Sequence, residues 1–130
     1  MKKILFMSIL TLLLSIMGCN REKQYLKNHK VIYYGTSEFN IFENNVQINK
    51  KEAYKLGLAY AKKNDLVMGN NLFFVIDNYY AFTNHYIPKM PAASTKGIWI
   101  NANTGEVKYI KEGIMLRPKF FPEKKIKDEN

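Results

Sequence analysis

The sequence predicts an α+β fold: one main helix packed on a small antiparallel sheet, preceded by a cleaved signal peptide. Three observations predict it. Apolar residues recur at helical spacing from Ala53 to Ala61. Aromatic and β-branched residues gather at 72–83, 97–101 and 106–111, with turn-forming residues between them. The chain opens on two lysines and an apolar run.

That run extends from Ile4 to Met17, broken only by Ser8, Thr11 and Ser15. As a helix its roughly 14 residues would span about 21 Å at about 1.5 Å per residue. A bilayer core is about 30 Å thick and takes about 20 apolar residues. The run therefore has the length of a signal-peptide core rather than of a membrane span. A buried core helix would not be expected at the extreme N-terminus, behind Lys2 and Lys3 and with no polar face. The run ends Ile16-Met17-Gly18-Cys19, an aliphatic, a tolerant and a small position before cysteine. This resembles the lipobox of bacterial lipoproteins. The resemblance implies cleavage between Gly18 and Cys19, diacylglycerol on the Cys19 sulfur and often a further acyl chain on the new amino group. It also implies residence on the extracytoplasmic side of the cell membrane or outer membrane. Two or more acyl chains anchor stably, where one does so marginally.

Cys19 is the only cysteine in the chain. An internal disulfide and a CxxC redox or cysteine-zinc site are thereby excluded. The expected organisation is a signal peptide at 1–18, a lipidated tether at 19–30, one α+β domain at 31–117 and a flexible charged tail at 118–130. Loss of Lys2 and Lys3 with the signal lowers the formal charge from +9 to +7. For an exported protein the matching anions are lipid head groups or surface polysaccharide, not nucleic acid.

Taken in order, residues 20–30 are polar and aperiodic, with Arg21, Lys23, Lys27 and Lys30 placed near the membrane. Val31-Ile32-Tyr33-Tyr34 predicts a short strand stopped by Gly35. Phe39, Ile41, Val46 and Ile48 show period-two spacing and predict extended chain. Asn49 with Glu52 three residues on is a helix-start signal, and the helix should run over 50–63. Ala53, Leu56, Gly57, Tyr60 and Ala61 would form its apolar face. Gly57 costs a helix about 1 kcal/mol against Ala, for which close approach to a sheet would compensate.

Residues 72–83 predict either one long strand or two with a break at Asp77-Asn78. Strict alternation would put Phe74, Ile76, Tyr80 and Phe82 on one face and Phe73, Val75, Tyr79 and Ala81 on the other. Both faces are apolar, so alternation leaves open which is buried. Pro88 and Pro91 predict a loop over 84–95. Residues 97–101 and 106–110, joined through Ala102-Asn103-Thr104-Gly105, predict a hairpin. Leu56, Tyr60, Ile98, Ile100 and Val107 are expected in or near the core.

Ile48-Asn49-Lys50-Lys51-Glu52-Ala53, followed downstream by Asn101-Ala102-Asn103-Thr104-Gly105-Glu106-Val107, resembles the helix start and last hairpin of PepSY-type modules. The finish is also similar to that of small immunity proteins with a nuclear-transport-factor-like fold. Both resemblances imply a non-catalytic binder or inhibitor.

The chemistry-bearing residues agree with that expectation. His29 and His85 are far apart, and no HExxH spacing places a zinc site. Asp65, Asp77, Glu106 and Glu112 are scattered, and no Ser-His-Asp or Cys-His pattern appears. No enzyme activity, cofactor or metal is therefore expected. Tyr33, Tyr34, Tyr79, Tyr80, Tyr86 and Trp99 are more aromatics than one small core should need, and Tyr79, Tyr80 and Trp99 are the candidate binding residues. The competing expectation is that they line the core of a curved sheet. The expected function is a non-catalytic, protein-binding or inhibitory module acting on an envelope protein. The alternative is an envelope structural or accessory lipoprotein that contacts lipid or polysaccharide through its basic residues.

Overall fold

The computed structural model describes residues 20–118. The expected signal peptide, Cys19 and the expected tail beyond Pro118 lie outside the described residues. Residues 20–28 are helical (α1), where an aperiodic tether was expected. Then come β1 (Val31–Tyr33), α2 (Ser37–Asn44), α3 (Lys50–Lys63), β2 (Asn71–Ile76) and β3 (Tyr79–Thr83). They are followed by β4 (Tyr86–Ile87), β5 (Ala92–Ser94), β6 (Gly97–Asn101), β7 (Val107–Ile110) and β8 (Met115–Leu116). The α+β class holds. Among the described residues, three helices and two antiparallel sheets stand where one main helix and one sheet were expected.

The larger sheet has the order β1-β2-β3-β6-β7, and the smaller has β4-β5-β8. An antiparallel sheet commonly leaves one face wet. Here both faces of the large sheet are covered. Leu72, Val75, Tyr80, Phe82, Ile98 and Ile100 pack with Phe39 of α2 and with Ala53 and Ala61 of α3. Phe73, Phe74, Ile76, Ala81 and Trp99 pack on the opposite side with Ala93 and Leu116 of the small sheet, joined by Tyr25 of α1. Aromatic residues alternate to both sides because two layers receive them.

α3 spans the expected residues. The Asn49 side chain accepts a hydrogen bond from the Glu52 amide at 2.9 Å, which satisfies one of the free N–H groups of the first turn. Its buried stripe is Ala53, Gly57 and Ala61, with Tyr54 and Leu58 beside it. Leu56 is 40% exposed, which corrects the expected face at that position, while Tyr60 packs against the core partly buried, as expected. Small residues face the sheet because the helix lies close to it. A Cβ on Gly57 would stand 2.5 Å from Met68 Cε and 3.0 Å from Ile100 Cδ1.

α2 replaces the extended chain expected near Phe39. Thr36 Oγ1 accepts from the Phe39 amide at 3.2 Å and caps it. Phe39 and Phe42, one turn apart, supply its apolar side and meet the ring of Tyr80 edge-on.

The 72–83 segment breaks at Asp77-Asn78, giving a two-residue hairpin in which both turn residues have positive φ, 51° and 69°. A bulge between Leu72 and Phe74 further shifts the register. Tyr80 and Phe82 therefore share a face with Val75 and Leu72, not with Phe74 and Ile76. The β6–β7 hairpin forms as expected. Asn101 Oδ1 accepts from the amides of Asn103 and Thr104, and Gly105 takes a φ of 78°. The proline-containing segment expected as a loop carries β4 and β5, which with β8 roof the second core.

Candidate functional site

The candidate binding aromatics do not stand at the surface as a patch. Tyr80 is 0% exposed, and its hydroxyl donates to the Ile48 carbonyl at 2.7 Å. Burial, with the charges of Glu43 and Glu52, raises its phenol pKa well above the ordinary value. Trp99 is buried, and its indole N–H donates to the Thr95 carbonyl at 2.8 Å. Tyr79 is half-buried. The Lys108 ammonium sits 4.1 Å from its ring centroid and 5.3 Å from that of Trp99. The Tyr79 hydroxyl meets Glu106 at 3.2 Å. Tyr80 and Trp99 are thus core residues. The sheet needs them because each of its faces has a layer to fill.

One polar pair was invisible in the sequence because its members lie 48 residues apart. His29 Nδ1 is 2.6 Å from Asp77 Oδ2 at the β2–β3 turn. The Lys30 amide donates to Asp77 Oδ1 at 2.9 Å, and the Asp77 amide donates to the Lys30 carbonyl at 2.9 Å. The Tyr25 ring stacks on the imidazole with centroids 4.1 Å apart. Partial burial opposes ionisation of Asp77. The bonds from His29 and Lys30, with the charges of His29 and Lys108, outweigh it and hold the carboxyl below its ordinary range. Tyr25 is pushed up to about 12, chiefly by burial, against the opposing hydrogen bond with Thr95 and with the help of the Asp77 charge. A His–Asp pair orients a general base when a nucleophile lies on the other imidazole nitrogen. Here no serine, threonine or cysteine is among the described contacts of His29. The pair staples α1 to the β2–β3 turn.

At the other end of the sheet is a groove of about 450 Å³. Leu66, Val67 and Tyr109 give it an apolar lining, and Asp65, His85 and Lys96 give it charge and hydrogen-bonding groups. Its walls are tied together. Asn84 Oδ1 accepts from the Asn70 amide at 2.9 Å, and Asn84 Nδ2 donates to the Met68 carbonyl at 3.2 Å. Gly69 lies so close to β3 that a Cβ would stand 2.6 Å from the Thr83 nitrogen. A short apolar side chain flanked by charge would match this lining. In the sequence His85 falls in an expected loop with no visible partner, because the lining comes from three separate connections and from β3, β6 and β7.

A third surface is the outward side of the small sheet. Ala93 and Leu116 point to the core, and the Tyr86 ring meets that of Phe73 at a tilt, so Ile87 and Met115 point outward. Ile87 is 45% exposed, Met115 41% and the neighbouring Met90 71%. Arg21 and Glu22 of α1 line a cleft with Gly113, Ile114 and Met115.

Among the described residues, no three His, Cys, Asp or Glu side chains gather where a metal ion could be held. No helix among them is long and apolar enough to cross a membrane. No protein-family model, curated protein or solved structure matches this chain.

Proposed function

We propose that the chain is a membrane-anchored, extracytoplasmic lipoprotein whose domain is a non-catalytic protein-binding module of inhibitory or immunity-like type. The address rests on the resemblance of Ile16-Met17-Gly18-Cys19 to a lipobox. The observation that carries the binding role is the tied groove, with exposed Val67 beside Asp65, His85 and Lys96. It combines apolar area with charges that set orientation, as anchor pockets in interfaces do. The use of His29 and Asp77 as a staple supports a role without catalysis.

A second reading, contact with anionic polysaccharide or lipid, is favoured by Lys51, Lys55, Lys62 and Lys63, all exposed on α3. A photo-reactive residue at Val67 in the anchored protein, activated in cells, separates the two. The binding reading expects a protein adduct of discrete mass that disappears when Lys96→Glu or Tyr109→Ala alters the groove. Adducts to polysaccharide or lipid alone would contradict it.

A further inference from the structure

Resting on the lipid-anchor reading, we propose that the outward side of the small sheet is a membrane seat, with Ile87, Met90 and Met115 resting in the lipid interface. A lipid on Cys19 would leave the chain no slack before the fold. The described chain begins one residue later, and residues 20–28 are already helical. That helix is fixed to the body at both ends. Glu22 meets the Arg117 guanidinium at 3.4 Å, and His29 meets Asp77 at 2.6 Å. Tyr25 between them is partly buried in the second core. An anchor on Cys19 therefore holds Asn20 about 3.8 Å from a lipidated residue, since one peptide separates their Cα atoms. The domain cannot float on a tether; the side carrying the start of α1 must lie against the bilayer.

That side is where the apolar surface is. Arg21 and Glu22 share a cleft with Met115, and Ile87 lies across β5 from Met115 on the same side of the small sheet. Met90, in the β4–β5 connection, is among the most exposed large apolar residues described. Arg21, Lys23, Lys89 and Arg117 are exposed around these residues in sequence or in space. A few apolar side chains ringed by cations match an anionic bilayer surface, where head groups meet the charge and the acyl boundary receives the methionines. On its own such a patch would hold a protein weakly. Beside a covalent anchor it only has to set orientation.

The test uses the full, lipidated chain in vesicles of phosphatidylethanolamine and phosphatidylglycerol. Acylation blocks the Cys19 thiol, so Met90→Cys, Met115→Cys and Asn103→Cys each accept one environment-sensitive fluorophore. Asn103 lies in the β6–β7 turn, at the end of β6 away from the small sheet. The seat predicts blue-shifted emission at 90 and 115 that lipid-borne quenchers suppress, and water-like emission at 103. Water-like emission at all three positions in protein that stays with the vesicles would overturn the seat and leave the anchor standing. A chain that takes up no labelled fatty acid would overturn both. The same labels on the Cys19→Ser full chain in water give a further arm. Emission already blue-shifted there would show the patch covered by the chain's own residues outside the described ones, 1–19 or 119–130, and shielding only on adding an envelope protein would make it a protein interface. Either result overturns the seat.

Discussion

Tyr80→Phe removes one oxygen from the middle of the molecule and isolates the value of one bond. Tyr80 lies on β3, the central strand, and is fully buried. Its ring touches Phe39 and Phe42 of α2, with centroids 6.5 and 5.8 Å away. Its hydroxyl reaches the Ile48 carbonyl just before α3. The residue therefore joins the sheet to both helices on that face. In the Phe variant the ring contacts persist and the carbonyl loses its donor. A buried polar group left unpaired costs about 1–3 kcal/mol. Tyr80→Ala also removes the ring and should cost about 3–5 kcal/mol, as large-to-small changes at buried aromatics do. Urea denaturation of the full chain near neutral pH reads both. With a slope of about 1–3 kcal/mol per molar, the Phe variant should lose on the order of 1 M in midpoint with the slope unchanged. A Phe variant as stable as the parent would refute the claim that the hydroxyl is committed to Ile48. An Ala variant losing no more than the Phe variant would refute the burial of the ring.

Two further outcomes follow from the geometry. Gly97→Ala should destabilise by at least about 3 kcal/mol, because φ is 147° and a Cβ would overlap the Phe82 carbonyl oxygen; thermal melting checks this, and a neutral variant would contradict the β3–β6 pairing. The Asp77 carboxyl is held below its ordinary value, so its stabilising contribution is complete above the unfolded-state value of about 3.9 and is lost as pH falls through the depressed folded-state value. Asp77→Asn keeps a residue suited to positive φ and should flatten that acid limb in urea titrations from neutral to low pH; an unchanged acid limb would contradict the His29–Asp77 staple.

What was legible in the sequence was local. α3 could be read because its cap, Asn49 with Glu52, and its length are properties of adjacent residues. The β6–β7 hairpin could be read because Asn101 and Gly105 meet the demands of the turn themselves. Ala53, Gly57 and Ala61 of the expected α3 face are buried, whereas Leu56, counted with them for its hydrophobicity, is exposed because the side of α3 that meets the sheet takes small residues. The faces of β2 and β3 were misassigned because one bulge and one two-residue turn each break strict alternation. α2 was hidden because Phe39 and Ile41 mimic a strand while Phe39 and Phe42 carry the helix. β4, β5 and β8 are two or three residues long, too short to show any period. The groove and the His29–Asp77 pair join residues from distant connections, which only the folded chain brings together.

The proposed anchor on Cys19 underlies both the address and the membrane seat, and the intact mass of the mature chain tests it most directly. The protein would be extracted from membranes with detergent and its N-terminal peptide measured by mass spectrometry. The account predicts a peptide that begins at Cys19 and carries a diacylglyceryl group, with or without an acyl chain on its amino group. A peptide that begins elsewhere, or an unmodified Cys19, would contradict it.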